Sequence, residues 1–125
     1  MKVEAIVSGE VARCDPETPL TEASRLMIAD GIGSLAIFDN DQLVGLITER
    51  DVLKAVAKGS DTAVATVEQW MTARPDTVDQ EMEIGDVADW MLAADYRHLP
   101  VEDGGKVVGI ISIKDVLWHL RDRVY

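Results

Sequence analysis

Apolar residues recur at helical spacing in two places along the chain. Leu20, Ala23, Met27 and Ile28 form one stripe and Ile84, Val87, Met91 and Leu92 the other, which predicts an amphipathic helix at each. Beyond each stripe the period changes. Ser34 to Asp39 and Leu99 to Asp103 are short apolar runs that end in turn-forming residues, Asp39-Asn40-Asp41 and Asp103-Gly104-Gly105, and apolar character resumes at Leu43 to Ile47 and Val107 to Ile111. Each place is predicted to be a β-hairpin. The hairpins are nearly continuous in Val, Ile and Leu, as strands covered on both faces are. A second helix follows each, starting after Thr48 and after Ser112, and carries Val52, Leu53 and Val56 or Val116, Leu117 and Leu120. Short leading strands are predicted at Val11 to Cys14 and Thr77 to Val78. Val67 to Thr72 reads as one helical turn that Pro75 prevents from continuing.

The repeated order is also a repeated sequence. Gly45-Leu46-Ile47-Thr48-Glu49-Arg50-Asp51-Val52-Leu53 falls on Gly109-Ile110-Ile111-Ser112-Ile113-Lys114-Asp115-Val116-Leu117, a shift of 64 residues. Without a gap the same shift pairs Met27 with Met91, Leu35 with Leu99, Asp39 with Asp103 and Val44 with Val108. Two copies of helix-strand-strand-helix therefore occupy 8–58 and 71–125, with 59–70 as linker and Gly59-Ser60-Asp61 ending the first copy's last helix. The expected fold class is mixed α/β (α+β). A lone unit of roughly 60 residues buries too little to be secure. One module over 1–125 is therefore expected, with the copies packed about an approximate two-fold axis and function sought in the groove between them.

Composition narrows the function classes. With 47% hydrophobic and 28% charged residues, the 125-residue chain is an ordinary folded protein rather than a disordered one. Its 12 Lys+Arg against 23 Asp+Glu give a net charge of −11, and the basic residues are scattered singly. That argues against a generic grip on nucleic acid or anionic membrane, which needs a basic face. The single cysteine, Cys14, cannot form an internal disulfide and suits a reducing compartment. No apolar run approaches membrane-spanning length, so a soluble, untargeted cytoplasmic protein is expected.

One chemically pointed feature occurs twice: Gly45-x-x-Thr48-x-x-Asp51 and Gly109-x-x-Ser112-x-x-Asp115. A hydroxyl residue followed three positions later by an acid, just ahead of an apolar helical run, is a capping box. The same geometry suits a nucleotide. A helix N-terminus attracts phosphate, a hydroxyl there can donate to it, and a carboxylate one turn on can accept both ribose hydroxyls. Spacing does not separate the two readings. His98, His119 and Cys14 share no zinc-like spacing, and no nucleophile comes with a recognisable base, so neither a metal site nor an enzyme is expected. Trp70, Trp90 and Trp118 read as packing or interface aromatics.

The doubled unit, the segments Ile32-Gly33-Ser34-Leu35-Ala36-Ile37 and Tyr96-Arg97-His98-Leu99-Pro100-Val101, the two Gly-x-x-Ser/Thr-x-x-Asp motifs and Trp70-Met71-Thr72 together resemble a pair of CBS (cystathionine β-synthase) domains. The resemblance covers nearly the whole chain. It implies one stand-alone Bateman module with two clefts and no required cofactor, whose ligands are adenosine compounds such as AMP, ADP or ATP, or S-adenosylmethionine. Asp51 and Asp115 would then hold ribose, with Thr48 and Ser112 near phosphate. Arg97 and His98 would face phosphate in the second copy. Ile32, Gly33, Ser34, Arg13, Thr77 and Tyr96 fall on the base side. Gly33-Ser34 stand opposite Arg97-His98 under the shift, so the Asp115 cleft is expected to hold one tighter phosphate-bearing ligand, and the Asp51 cleft to be weaker or suited to a less charged adenosine compound. The function implied is a non-catalytic sensor that signals to a separate protein partner in trans, and its rival is a dimerisation or docking module that binds no nucleotide. Leu26-Met27, Trp90-Met91, Leu53 and Leu117-Trp118 are more large apolar groups than one small sheet covers, which points to a homodimer.

Overall fold

The computed structural model describes residues 1–7 and 10–121. The first repeat runs β1 (Arg13–Cys14), α1 (Leu20–Asp30), β2 (Ser34–Asp39), β3 (Gln42–Thr48), α2 (Glu49–Ala57), α3 (Val67–Trp70) and β4 (Thr72–Ala73). The second runs β5 (Val78–Asp79), α4 (Ile84–Ala94), β6 (His98–Asp103), β7 (Lys106–Ser112) and α5 (Ile113–Leu120). A 3₁₀ turn at Val3–Ala5 precedes both. Both predicted hairpins form, and each closes through a two-residue turn. Asn40 and Asp41 have φ of 49° and 65°, and Gly104 and Gly105 have 58° and 84°, the left-handed conformations that match the twist of the flanking strands.

Local expectation and structure differ in three places. The turn after Thr66 stops at Trp70, because Thr72–Ala73 pairs with β3 as an edge strand. The leading strands are two residues each, at Arg13–Cys14 and Val78–Asp79. Met27 and Met91, expected among surface apolar groups, lie in the cores, because they share the inward stripes of α1 and α4. Trp90 packs beside Met91's core with its ring edge-on to Tyr96. Leu26, Ile28, Leu53, Val56, Leu92, Leu117 and Trp118 are among the large apolar groups left exposed on the helices.

The chain divides into two compact units, one of residues 12–75 and one of residues 1–11 with 76–125. In the first, the sheet order is β1-β2-β3-β4, with β1 parallel to β2 and the rest antiparallel. Leu20, Leu35, Ile37 and Ile47 fill its core together with Val67, which is fully buried. Residues 59–70 thus lie in this unit: the Leu20 N–H donates to Ala65 O and the Val67 N–H to Thr18 O, both at 2.9 Å. In the second unit the order is β5-β6-β7, around a core of Ile84, Met91, Leu99, Val101 and Ile111.

Val3 completes that second core from the start of the chain, fully buried. Its N–H donates to Met82 O and that of Ile84 to Met1 O, each at 2.9 Å. Two ion pairs, Lys2 with Glu81 and the α-amino group with Glu83, flank it on the surface. Val3 and Val67 correspond under the 64-residue shift, so the segment ahead of the first repeat joins the second repeat's core and the segment ahead of the second joins the first's.

Candidate functional site

Strand direction gathers the motif residues at one end of each sheet. In the unit of the second repeat, β5 and β6 start at the end where antiparallel β7 finishes and α5 begins. His98 pairs with Ser112 in the β6–β7 register, and the Arg97 carbonyl accepts from the Ile113 N–H at 2.8 Å, fastening the start of β6 to the first turn of α5. Ser112 is the N-cap of α5, and its hydroxyl accepts from the Asp115 N–H at 3.1 Å. Among the described residues the Asp115 carboxylate makes no return bond, so the capping box expected at Ser112 and Asp115 is only half formed. Asp115 and Arg97 are exposed, whereas Ser112 and His98 are half-buried.

The first repeat's unit has the same scaffold with different side chains. Ser34 pairs with Thr48, and the Gly33 carbonyl accepts from the Glu49 N–H at 2.9 Å, so Gly33 occupies the place of Arg97. Here the capping box is complete. The Asp51 N–H donates to the Thr48 hydroxyl at 3.3 Å, and an Asp51 carboxylate oxygen accepts from the Thr48 N–H at 2.9 Å and from its hydroxyl at 3.1 Å. Ser34 is buried in the strand and Ile32 is exposed, its N–H donating to Met27 O at the end of α1. The two motif acids therefore differ in what is left to offer. Asp115 presents its carboxylate outward, while one oxygen of Asp51 already serves its own helix.

The remaining candidates scatter further. Thr77 directly precedes β5, and Tyr96 directly precedes Arg97. Tyr96 donates its phenol hydrogen to Asp76, and that bond, more than partial burial, raises the phenol pKa above its usual 10. Asp76 was not singled out by the sequence, and its only signal was its place just ahead of Thr77. Arg13, opposite Ala36 in the β1–β2 register, stacks its guanidinium 4.9 Å from the Phe38 ring, four residues along β2 from Ser34. It is thus not gathered with Thr48 and Asp51. Cys14 is half-buried, and burial pushes its thiol pKa up. Among the described residues no group of three His, Cys, Asp or Glu side chains could hold a metal ion, and no helix is long and apolar enough to cross a membrane.

Comparison with known proteins places this arrangement. The family model described as CBS domain matches residues 3–58 and again 67–122. An uncharacterised 17.7 kDa protein of Acidianus ambivalens is 36% identical over 123 residues, covering 97% of this chain and 74% of that protein. The inosine-5′-monophosphate dehydrogenase of Thermoplasma acidophilum is 35% identical over 115 residues, covering 91% of this chain but 22% of the enzyme. Among solved structures, the CBS domain pair of protein MJ0100 in complex with 5′-methylthioadenosine and S-adenosyl-L-methionine superposes with a TM-score of 0.89 at 28% identity, covering 98% of each chain.

Proposed function

The chain belongs to the CBS-domain family, and from that premise we propose that it is a non-catalytic regulatory module that binds an adenosine-bearing ligand at the second repeat's motif and signals to a partner protein through its shape or assembly. The observation that carries this reading is the Asp115 carboxylate, outward and unspent in the helix cap, one turn from the Ser112 hydroxyl and on the same end of the sheet as Arg97. A carboxylate so placed can accept two ribose hydroxyls, and a guanidinium favours phosphate through charge-assisted, bidentate hydrogen bonds. AMP, ADP and ATP are the ligand class this favours. Dimerisation through the exposed helical groups, Ile28, Leu53, Leu92 and Trp118 among them, is the assembly the ligand would bias.

The test is calorimetry and thermal shift with AMP, ADP, ATP, adenosine and S-adenosylmethionine. A ligand at 100 times its Kd adds about 2.7 kcal/mol of stability. Saturable binding of a phosphorylated adenosine, lost in Asp115→Ala, is the expected result, and no shift with any of the five would overturn the reading in favour of a docking module that binds no nucleotide. A second reading has its own support. The MJ0100 pair was crystallised with methylthioadenosine and S-adenosylmethionine, neither of which carries a phosphate, and Gly33-Ser34 supply no cation in the first repeat. The Thr48–Asp51 motif is therefore proposed to take the less charged adenosine compound.

A further inference from the structure

The two leading strands are fastened to their sheets differently. In the first repeat the Ala36 N–H donates to the Ala12 carbonyl at 3.0 Å, and pairing of β1 with β2 begins at Arg13 opposite Ala36. The 64-residue shift carries Ala12, Arg13 and Ala36 to Asp76, Thr77 and Pro100. Proline has no N–H, so the bond that secures Ala12 has no counterpart at Asp76, and pairing of β5 with β6 begins one position later, at Val78 opposite Val101. A side-chain bond stands in its place. The Tyr96 hydroxyl donates to the Asp76 carboxylate, where the first repeat has Ile32 and Ala12, whose side chains can make no such bond.

Tyr96 is the fixed member of this pair. Its N–H donates to Met91 O at 2.9 Å, the carbonyl of the next residue accepts from the Ile113 N–H at 2.8 Å, and its ring meets Trp90 edge-on with centroids 5.6 Å apart. Trp90 in turn packs on the second core. Asp76 is exposed, so the phenol is what holds it. Thr77, between Asp76 and the first residue of β5, lies at the end of the sheet where β6 starts and β7 finishes, the end that carries Arg97, Ser112 and Asp115. We propose that Asp76 and Tyr96 are positioning residues for the second repeat's site: a side-chain latch that does for Asp76-Thr77 what a backbone bond does for Ala12-Arg13, and so keeps the entry to β5 in place for a ligand at the motif. This rests on the adenosine reading above and adds to it two residues that act without touching the ligand. Such a latch raises affinity by keeping the binding-competent arrangement populated. Its effect is therefore the same for a phosphorylated and an unphosphorylated ligand, unlike that of Arg97.

Amide spin relaxation and calorimetry on the intact chain test it. Tyr96→Phe keeps the ring beside Trp90 and removes only the hydroxyl, so the heteronuclear NOEs of the Asp76 and Thr77 amides should fall while those of Ala12 and Arg13 hold. AMP and adenosine should both bind about five- to tenfold more weakly in this variant and in Asp76→Ala, as loss of one hydrogen bond implies. Asp76→Asn, which keeps an acceptor oxygen, should recover most of that loss. Pro100→Ala returns the N–H that Ala36 has, and in that background Tyr96→Phe should cost less than about twofold; a loss undiminished there would mean that the latch does not replace the backbone bond. Where Pro100→Ala fails to fold, the comparison of Asp76→Asn with Asp76→Ala decides. Unchanged NOEs at Asp76 and Thr77, or a loss confined to AMP, would overturn the latch. A parent chain that binds neither ligand would overturn the adenosine reading and the positioning role with it, while the NOEs still report whether the pair holds the segment.

Discussion

Thr48 and Asp51 hold each other: the hydroxyl accepts from the Asp51 N–H, and the Asp51 carboxylate accepts from the N–H and hydroxyl of Thr48. In the second repeat Ser112 accepts from the Asp115 N–H and Asp115 returns nothing among the described residues. The same substitution should therefore do different things in the two motifs. Asp51→Ala should cost about 1 kcal/mol of stability through the lost cap, and Asp115→Ala a smaller amount. In calorimetry the order reverses, with the tight phosphorylated-adenosine site lost in Asp115→Ala and kept in Asp51→Ala. Loss of that site in Asp51→Ala alone would show the assignment to be the wrong way round.

Arg97 is expected to read phosphate rather than adenosine. Arg97→Ala should weaken AMP or ATP by the value of a charge-assisted hydrogen bond, about 1.5–3 kcal/mol, and leave plain adenosine nearly unchanged. Titrating both ligands into one variant gives the comparison. Equal losses for the two would remove the phosphate role.

The motif glycine of the first repeat has a packing duty. An added Cβ on Gly45 would fall inside the Met71 thioether, whose chain segment lies against β3 through β4. Gly45→Ala should destabilise by roughly 1–3 kcal/mol through overpacking. Because a methionine side chain can be shortened, Met71→Ala in the same chain should recover part of that loss, and urea melts of the single and double variants measure it. Strictly additive losses would mean the two side chains do not compete for the space.

Much of this was legible in the sequence. Period and turn chemistry located both hairpins, and the 64-residue shift located both motifs, because apolar spacing and turn residues are local properties of a chain. The half-formed second cap was not legible, since Ser112-x-x-Asp115 and Thr48-x-x-Asp51 have the same spacing and only side-chain rotamers tell them apart. Asp76 as Tyr96's partner was hidden for a related reason: the two are 20 residues apart and meet only through parallel pairing of β5 with β6. Helical spacing put Met27 and Met91 in the apolar stripes and both are core, whereas counting them with Leu26 and Trp90 as interface groups followed adjacency in sequence, which on a helix does not share a face.

Cys14 offers a pH-resolved check on the first core. Burial raises its thiol pKa, opposed in part by a hydrogen bond from Thr18. With the folded value above the unfolded one, the neutral thiol's contribution to stability is complete below the ordinary thiol pKa and is lost as pH rises through the raised value. Alkylation near pH 8 should accordingly be slower in the folded chain than in denaturant, and should accelerate at higher pH than for a free cysteine. Equal rates folded and unfolded would mean that the thiol is open to water.

Val3 is predicted to matter to a unit that begins 73 residues after it, since the second repeat's own residues resume at Asp76. Val3→Ala should cost about 2 kcal/mol in thermal or urea unfolding, most of it in the second repeat's unit. Hydrogen exchange at Leu99 and Ile111 would show the loss there while Leu35 and Ile47 stay protected. A uniform loss over both units would contradict it.

The exchange of leading segments also sets an order of events at the ribosome. Residues 12–75 are contiguous and hold everything their core needs, including Val67, so that unit can close as soon as its last strand has emerged. The other unit cannot. Its first contribution, Val3, is synthesised ahead of the whole first repeat and must wait, apolar and unburied, until Met82 and the strands beyond it arrive. Closing that loop carries the entropy of the whole intervening chain, but with the first unit already folded the effective loop is much shorter than its residue count. Early folding of the first repeat therefore brings the two ends of the second unit within reach of one another, and a variant that slows the first should delay the second even where it leaves the second's own residues untouched.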